Sequence, residues 1–246
     1  MNQIVYPITS AQIATAPFWH LSGATAQASL QRLFNTYKRT FRPGNLIELD
    51  STGVNVTYCV MSGWVSLSKS MPNGQRQTID FALPGDILSQ ISANIASRAL
   101  QMETITQATI AIIPGPVWSR LGRDFPQLQR LENRCAADAL SRLSDRILRL
   151  GKGSAETRIA HALIELSNRL RTIGQACDLG FHLPLTQQQL GEFTGLSSVH
   201  VCRILRRLSD QGVIAMQDQT HIMIRNLPAL SEIAGIEFSL LPDRLH

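Results

Sequence analysis

The segment from Pro184 to Ile214, PLTQQQLGEFTGLSSVHVCRILRRLSDQGVI, constrains the fold more than any other part of the chain. Thr186 followed three residues later by Gln189 is a capping-box pattern, which predicts the start of a short helix. Gly195 then predicts the sharp turn between two helices. A second helix is predicted from about residue 198 to residue 209. The segment therefore predicts a helix-turn-helix.

The second predicted helix has two different faces. One carries apolar residues at helical spacing and is expected to face the core, namely Val201, Ile204, Leu205 and Leu208. The other follows Ser198 and carries two arginines and no acid, namely Val199, Cys202, Arg203 and Arg206. An α-helix fits the major groove of DNA, where arginine can bond guanine or neutralise phosphate, so this face predicts DNA recognition. The alternative is a merely solvated basic surface.

Two short alternating segments follow this helix and predict the strands of a wing. They run over Val213–Met216 and His221–Arg225, around a turn at residues 218–220. His221 and Arg225 are candidates for contact with the sugar-phosphate backbone. The alternative for each is plain surface.

The first half of the chain predicts a small antiparallel barrel or sandwich. An amphipathic helix is predicted over about residues 26–40, and short β-branched or alternating segments follow, separated by Pro-Gly, Gly and Asn-Gly turns. The predicted strands are Leu46–Leu49, Val54–Met61, Trp64–Ser68, Thr78–Leu83 and Thr104–Ile113. Many short strands with regularly spaced turns are typical of such an architecture.

A long helix is predicted after Pro126. Its apolar or small residues recur at spacings of three and four, at Leu128, Leu131, Cys135, Ala139, Leu143, Ile147 and Leu150. This stripe predicts pairing with the same helix of a second copy in a homodimer. The alternative is packing along its own barrel. Gly151 and Gly153 end the helix, and Ser154 can cap the next one.

These patterns describe an α+β chain whose 246 residues are enough for two modest domains. We predict a β-barrel sensor domain with an N-terminal helical extension at residues 1–118, a dimerisation helix at 119–151, a winged helix-turn-helix at 152–228 and a C-terminal tail at 229–246. The net charge of +5 suits a polyanionic partner, but residues 151–246 carry nine basic and nine acidic residues. The DNA hypothesis therefore depends on where the arginines lie.

Several other classes of protein are disfavoured. No apolar run approaches the roughly 20 residues that span a bilayer, and the first ten residues lack the pattern of a secretory signal. A cytoplasmic location without membrane contact is expected. The cysteines, Cys59, Cys135, Cys177 and Cys202, form no CxxC pair, so neither a metal site nor a disulfide framework is expected. No catalytic triad pattern or phosphate-binding loop supports an enzyme.

On these residues the chain resembles the Crp/Fnr family, the cyclic-AMP receptor protein and fumarate-nitrate regulator group of bacterial regulators. The resemblance starts near residue 18 and is strongest in LPLTQQQLGEFTGLSSVHVCRILRRL. It is moderate in RPGNLIEL, SGWVSL and NGQRQTIDFALPGDI. It implies a double-stranded β-helix (jelly-roll) barrel like those that bind cyclic nucleotides, dimerisation through the long helix, and an inverted-repeat operator in double-stranded DNA.

The resemblance also implies roles for individual residues. Arg203 matches the base-reading arginine of the family. Val199 replaces a glutamate of many members, so the operator cannot be copied from them, and an apolar contact with a thymine methyl is expected. The residues predicted to contact DNA are Thr186, Gln187, Gln188, Ser197, Ser198, Val199, His200, Cys202, Arg203 and Arg206, of which the first three match contacts to the DNA backbone.

The effector side departs from the family pattern. Cyclic-nucleotide binders hold the ribose with a Gly-Glu pair and the phosphate with an Arg-Ser/Thr pair. The corresponding residues here are Ser89-Gln90 and Arg98-Ala99, which keep the arginine and lose the carboxylate and the hydroxyl. Cyclic AMP is therefore not the expected effector. An iron–sulfur cluster is not expected either, because the chain lacks clustered N-terminal cysteines.

The main hypothesis is a dimeric regulator that contacts RNA polymerase once on DNA. The competing hypothesis is a sensor of a small molecule or of haem, with His20 as the haem ligand, whose main output is protein–protein contact. A single histidine among aromatic residues is more commonly packed in the core or exposed to solvent than bound to haem iron. The identity of a small-molecule effector stays open.

Overall fold

The structure, a computed structural model, describes residues 24–47, 55–89, 100–177, 180–218 and 220–236. The described chain forms two compact units. The first contains residues up to 75 together with 79–140, and the second contains residues 76–78 together with those from 141 onward.

The barrel of the first unit follows helix α1 (Ala24–Tyr37). The barrel strands are β1 (Lys38–Phe41), β2 (Leu46–Ile47), β3 (Val56–Ser62), β4 (Val65–Ser70), β5 (Arg76–Ala82), β6 (Ile87–Leu88), β7 (Leu100–Thr104) and β8 (Ala108–Pro114). The first three residues of β5 are grouped with the second unit. The barrel strands form two four-stranded sheets in the orders β1-β8-β3-β6 and β2-β7-β4-β5. The predicted antiparallel barrel is confirmed, because neighbouring strands run antiparallel.

Strand β3 is buried on both faces, which explains its mostly apolar sequence. Tyr58 and Val60 lie in an apolar cluster contributed by both sheets. Cys59 and Met61 alternate with them and pack in a second cluster with α1. Successive side chains of a strand point to opposite faces, so one strand supplies two cores. Burial raises the pKa of the Cys59 thiol well above its usual value.

Most strand ends in this unit lie within two residues of the predictions, but two predicted elements differ more. The helix predicted to reach residue 40 ends at Tyr37, because residues 38–41 pair with β8 as strand β1. The strand predicted over residues 104–113 joins the last residue of β7 to β8, although β7 pairs with β2 and β4 whereas β8 pairs with β1 and β3. The chain thus changes sheets at residues 105–107. Sequence periodicity does not report which sheet a strand joins.

Helices α2 (Gly115–Asp124) and α3 (Pro126–Lys152) follow the barrel. The Nε1 of Trp118 donates a hydrogen bond to Glu132 Oε2 at 3.0 Å and so joins the two helices. Leu128 is fully buried in the α1 cluster, and Leu131 and Cys135 pack against it. The N-terminal part of α3 therefore packs within its own unit, as in the alternative to helix pairing.

The apolar stripe predicted to form the dimer interface is wrong in part. Leu128 is buried within its own unit, and Leu131 and Cys135 are partly buried against the same cluster. Each spacing of four on an ideal helix rotates the position by about 40°, so Ile147 lies about 100° from Leu128 around α3. Ala139, Leu143 and Leu150 are half-buried. The large apolar side chains that α3 leaves exposed are instead Leu140, Ile147 and Leu148, at 66%, 69% and 57% of their surface.

The second unit continues with α4 (Ala155–Thr172), which Ser154 caps by accepting a hydrogen bond from the Thr157 backbone. Its remaining elements are β9 (Ala176–Cys177), β10 (Gly180–His182), α5 (Gln187–Thr194), α6 (Ser198–Asp210), β11 (Ile214–Met216), β12 (His221–Ile224) and α7 (Leu227–Ala234). The sheet has the order β11-β12-β10-β9. No helix of the described residues is both long and apolar enough to cross a membrane.

The predicted C-terminal tail starts too early. Helix α7 packs against α4 and buries Leu230 and Ala234, which are 0% and 1% exposed. Asn226 caps it by accepting a hydrogen bond from the Ala229 backbone at 3.0 Å. Residues 229–236 therefore belong to the second unit.

Candidate nucleic-acid interface

Helix α5 begins with the predicted capping box. Thr186 Oγ1 accepts a hydrogen bond from the Gln189 backbone at 3.1 Å, and Gln189 Oε1 accepts one from the Thr186 backbone at 2.9 Å. Both bonds satisfy backbone N–H groups that the first turn leaves without helical partners. Leu190 and Phe193 are buried on the opposite side of the helix. These contacts fix where the helix-turn-helix starts.

The turn between α5 and α6 depends on two glycines. Gly195 ends α5 in the left-handed region at φ +69°, as the sequence predicted. Gly191 lies inside α5, where a Cβ atom would run into the backbone carbonyl oxygen of Leu196. A larger residue at position 191 would therefore push the two helices apart. Sequence reasoning missed Gly191, since nothing local distinguishes it from an ordinary glycine in a helix.

Helix α6 has the two faces that its spacing predicted. Val201, Ile204, Leu205 and Leu208 are buried. Ser197 caps the helix and accepts a hydrogen bond from the His200 backbone at 3.3 Å. Ser198, Val199 and Arg203 are exposed on the outer face, with Val199 at 62% of its surface. The helix thus presents a mixed apolar and basic surface to solvent.

The outer arginines of α6 differ in their surroundings. Arg207 Nη1 forms an ion pair with Glu156 Oε2 at 3.2 Å, which joins α6 to the start of α4. Among the described residues, Arg203 and Arg206 have no acidic partner, and both are exposed. Two positive charges on one face of an exposed helix favour a polyanionic ligand.

The other predicted contact residues lie around the same surface. Thr186, Gln187 and Gln188 are exposed at the start of α5, and Cys202 is half-buried on α6. Gln188 Nε2 donates to Glu192 Oε1 at 3.1 Å, and the Thr186 hydroxyl serves the capping box. His200 is exposed, and its Nδ1 lies 3.1 Å from Ser197 Oγ. The structure therefore brings both predicted segments to one helix-turn-helix.

The wing is the hairpin of β11 and β12, close to its predicted bounds. Asp218 Oδ1 accepts hydrogen bonds from the backbones of Thr220 and His221, each at 2.7 Å. These bonds and those from their side chains hold the pKa of the Asp218 carboxyl well below its usual range. Its Oδ2 lies 2.7 Å from His221 Nδ1, so the carboxylate orients that ring. Arg225 is exposed just after β12.

Strands β9 and β10 extend this sheet, and sequence reasoning missed both. Each has at most three residues, too few for an alternating pattern. His182 of β10 pairs with His221 of β12, and the centres of their rings are 4.8 Å apart. Partial burial and the charge of His221 lower the pKa of His182.

The predicted effector residues are mostly outside the described residues. Ser89 is half-buried just after β6. Gln90, Arg98 and Ala99, together with the alternative haem ligand His20, lie outside the described residues. The described residues contain no group of three or more His, Cys, Asp or Glu side chains arranged to hold a metal ion.

Comparison with known proteins identifies both units. Residues 38–124 match the family model of the cyclic nucleotide-binding domain, and residues 157–233 match that of the Crp-like helix-turn-helix domain. The nitrogen fixation regulation protein FixK of Bradyrhizobium diazoefficiens is 32% identical over 65% of this chain and 66% of its own length. The chain belongs to the Crp/Fnr family.

This Crp/Fnr protein is also similar to other regulators in sequence and in structure. The transcriptional regulatory protein btr of Bordetella pertussis is 26% identical over 85% of each chain. The structure of FixK2 from Bradyrhizobium japonicum matches 80% of this chain and 96% of its own, with a TM-score of 0.68 and 25% identity. The protein is thus a DNA-binding transcription regulator and not an enzyme, as the sequence predicted.

The close approach at Gly191 gives a matched pair of alanine substitutions in this Crp/Fnr regulator. Gly191→Ala is expected to lower the free energy of unfolding by about 1–3 kcal/mol, because the new methyl group meets the Leu196 carbonyl. Gly151→Ala, in α3, is expected to raise it by about 1 kcal/mol, because open space surrounds that position and alanine favours a helix. Urea unfolding of both variants measures the difference. Equal effects would contradict the clash.

Proposed function

We propose that this regulator binds an inverted-repeat operator as a homodimer, with α6 of each subunit in the major groove. The exposed face of α6 supports this most directly, because it carries Arg203 and Arg206 without acidic partners among the described residues. A helix with such a face fits the width of the major groove. Two symmetric copies read two half-sites about one helical turn apart.

Three exposed residues of α6 have distinct expected roles. Arg203 reads a guanine through two hydrogen bonds, since arginine pairs well with its O6 and N7 atoms. Arg206, nearer the end of the helix, neutralises a phosphate. Val199 offers an apolar surface to a thymine methyl. The exposed Gln187 at the start of α5 donates to the DNA backbone.

The exposed apolar face of α3 supports the homodimer. Leu140, Ile147 and Leu148 lie on one side of the helix, and the neighbouring Ala136 and Ala137 are also exposed. Small and apolar residues in such a row pack well against a second copy of the same helix. This face replaces the stripe predicted from spacing, and of that stripe it retains only Ile147.

Selection of DNA from a random pool, with and without cell extract, tests the operator. We expect an enriched inverted repeat whose affinity falls steeply with salt concentration. A result that depends on the extract would show that DNA binding needs a component of the cell, as an effector-dependent regulator does. Enrichment of unrelated sequences, or none, would contradict sequence-specific binding.

Replacement of Ile147 by glutamate tests the dimer. A charge on the exposed apolar face should raise the dimer dissociation constant about 30-fold or more. Sedimentation velocity measures the change. Arg134→Glu, at another exposed position of α3, is the control and should leave the dimer intact. A dimer that survives Ile147→Glu would contradict this interface.

We further propose that the protein acts in the cytoplasm, contacts RNA polymerase at its promoters and responds to an effector other than cyclic AMP. The replacement of the ribose-binding carboxylate by Gln90 supports the last point. Calorimetry with cyclic AMP should give no binding heat. Tight binding would overturn this part of the proposal.

A further inference from the structure

Arg146 is a charged residue buried in the second unit, with 7% of its surface exposed. Its Nη2 donates a hydrogen bond to Glu165 Oε1 at 2.7 Å. Its guanidinium also lies 4.0 Å from the centre of the Phe193 ring. Arg146 belongs to α3, Glu165 to α4 and Phe193 to α5. One side chain therefore joins three helices of the DNA-binding unit.

Glu165 holds further groups around this contact, which we call the Arg146 cluster (Arg146, Glu165 and Phe193). The carboxylate lies 3.9 Å from Arg169 Nη1 and 3.9 Å from His161 Nδ1, and its own side chain is 8% exposed. Phe193 is 1% exposed beneath the guanidinium. The ion pair is thus largely removed from water.

Burial of this pair has a geometric consequence. Removal of two charges from water costs about as much as their attraction returns, so such a pair adds little net stability. The planar guanidinium, however, can bond a carboxylate and cover a ring only within a narrow range of orientations. The Arg146 cluster therefore restricts the angle between the C-terminal end of α3 and α5.

The angle between α3 and α5 matters because exposed apolar residues of α3 lie at one end of the Arg146 cluster and the turn into α6 lies at the other. Ile147 and Leu148 follow Arg146 directly on α3 and are exposed. Phe193 lies two residues before the Gly195 turn that leads into α6, and Gly191 of α5 packs tightly against Leu196. A constraint on α5 is thus passed to α6. The cluster links the exposed face of α3 to the recognition helix.

We propose that Arg146 is a positioning residue that, through Glu165 and Phe193, sets the spacing between the two half-sites that the dimer accepts. This inference rests on the homodimer and the inverted-repeat operator proposed above. Arg146 does not touch DNA in this role. It determines how far apart and at what rotation the two α6 helices meet the major groove.

Operators whose half-site spacing departs by one or two base pairs from the selected optimum test the proposal. Each added base pair rotates one half-site by about a tenth of a turn. Wild-type protein should lose about tenfold in affinity at a shifted spacing, because the DNA must twist or bend to fit. The variant Arg146→Met/Glu165→Met should lose about twofold or less. Its affinity for a single half-site should match that of the wild type, as measured by fluorescence anisotropy.

Two further variants separate positioning from folding. Buried ion pairs can often be replaced by apolar residues without loss of stability, so the double methionine variant should fold. If it does not, Arg146→Lys keeps the charge, removes the planar fork and should show an intermediate spacing dependence. Asp145→Gln/Arg149→Gln removes a nearby ion pair, at 3.2 Å, whose two members both belong to α3, and should keep the wild-type spacing dependence.

The outcomes distinguish this proposal from the one on which it rests. A folded, dimeric variant of the Arg146 cluster with the wild-type spacing dependence would overturn the positioning role and leave the operator proposal standing. A wild-type protein without any spacing dependence would overturn both. A relaxed dependence with unchanged half-site affinity is the result that the structure predicts.

Discussion

Replacement of Arg203 by alanine is expected to weaken binding to the selected operator by about 5- to 150-fold, which corresponds to about 1–3 kcal/mol for a base-reading arginine. Arg203 is exposed on α6 and has no acidic partner among the described residues. Its guanidinium is therefore available for the two hydrogen bonds that guanine offers. The affinity for unrelated DNA should fall much less, so the ratio of specific to non-specific affinity should drop.

Arg206→Ala is the matched control on the same helix. A phosphate contact carries no sequence information, so its loss should weaken binding to all DNA about equally. It should also reduce the slope of log affinity against log salt concentration by about one. Anisotropy titrations at several salt concentrations separate the two effects. If Arg203→Ala and Arg206→Ala changed specific and non-specific binding in the same way, Arg203 would not be a base-reading residue.

The free energy of unfolding is expected to fall by about 3 kcal/mol from His161 alone as the pH drops from 6.5 to 4. Burial, and secondarily the positive charge of Arg149, lowers the pKa of His161 from 6.5 to about 4 in the folded protein. Between these two values the unfolded chain holds a proton that the folded chain rejects. Acidification through this window therefore favours unfolding, and above pH 6.5 the contribution vanishes.

His161→Gln isolates this contribution, because glutamine cannot take up the proton. The charged groups around His161, namely Arg146, Arg149, Asp145 and Glu165, are the same in both proteins. The difference in unfolding free energy between wild type and variant should thus change by about 3 kcal/mol from pH 6.5 to pH 4. Urea unfolding at intermediate pH values measures it. Parallel pH profiles would contradict a neutral, buried His161.

The helix-turn-helix could be predicted because its signals are local. The capping box of Thr186 and Gln189, the Gly195 turn and the helical spacing of Val201 and Leu205 all act within a few residues of chain. The very short strands β6, β9 and β10 could not be predicted, because two or three residues show no alternation. They exist because distant strands offer them hydrogen bonds.

The stripe on α3 illustrates the limit of periodicity. A spacing of three or four shows that neighbouring residues share a face, but small rotations accumulate along a helix of 27 residues. Leu128 and Ile147 were therefore predicted to lie on one seam, whereas the first is buried in its own unit and the second is exposed. The surface that a second copy can use is visible only after the barrel has covered its part of the helix.

The amino-acid sequence by itself determined the family, the antiparallel barrel, the helix-turn-helix and the basic face that carries Arg203. Each depends on short-range preferences for turns, caps and alternating or helical spacing. Only the tertiary structure decided which face of α3 stays exposed and that Arg146 is a buried contact to Glu165, 19 residues away, and to Phe193. The physical reason is that burial depends on what packs against a side chain, and those partners come from distant parts of the chain.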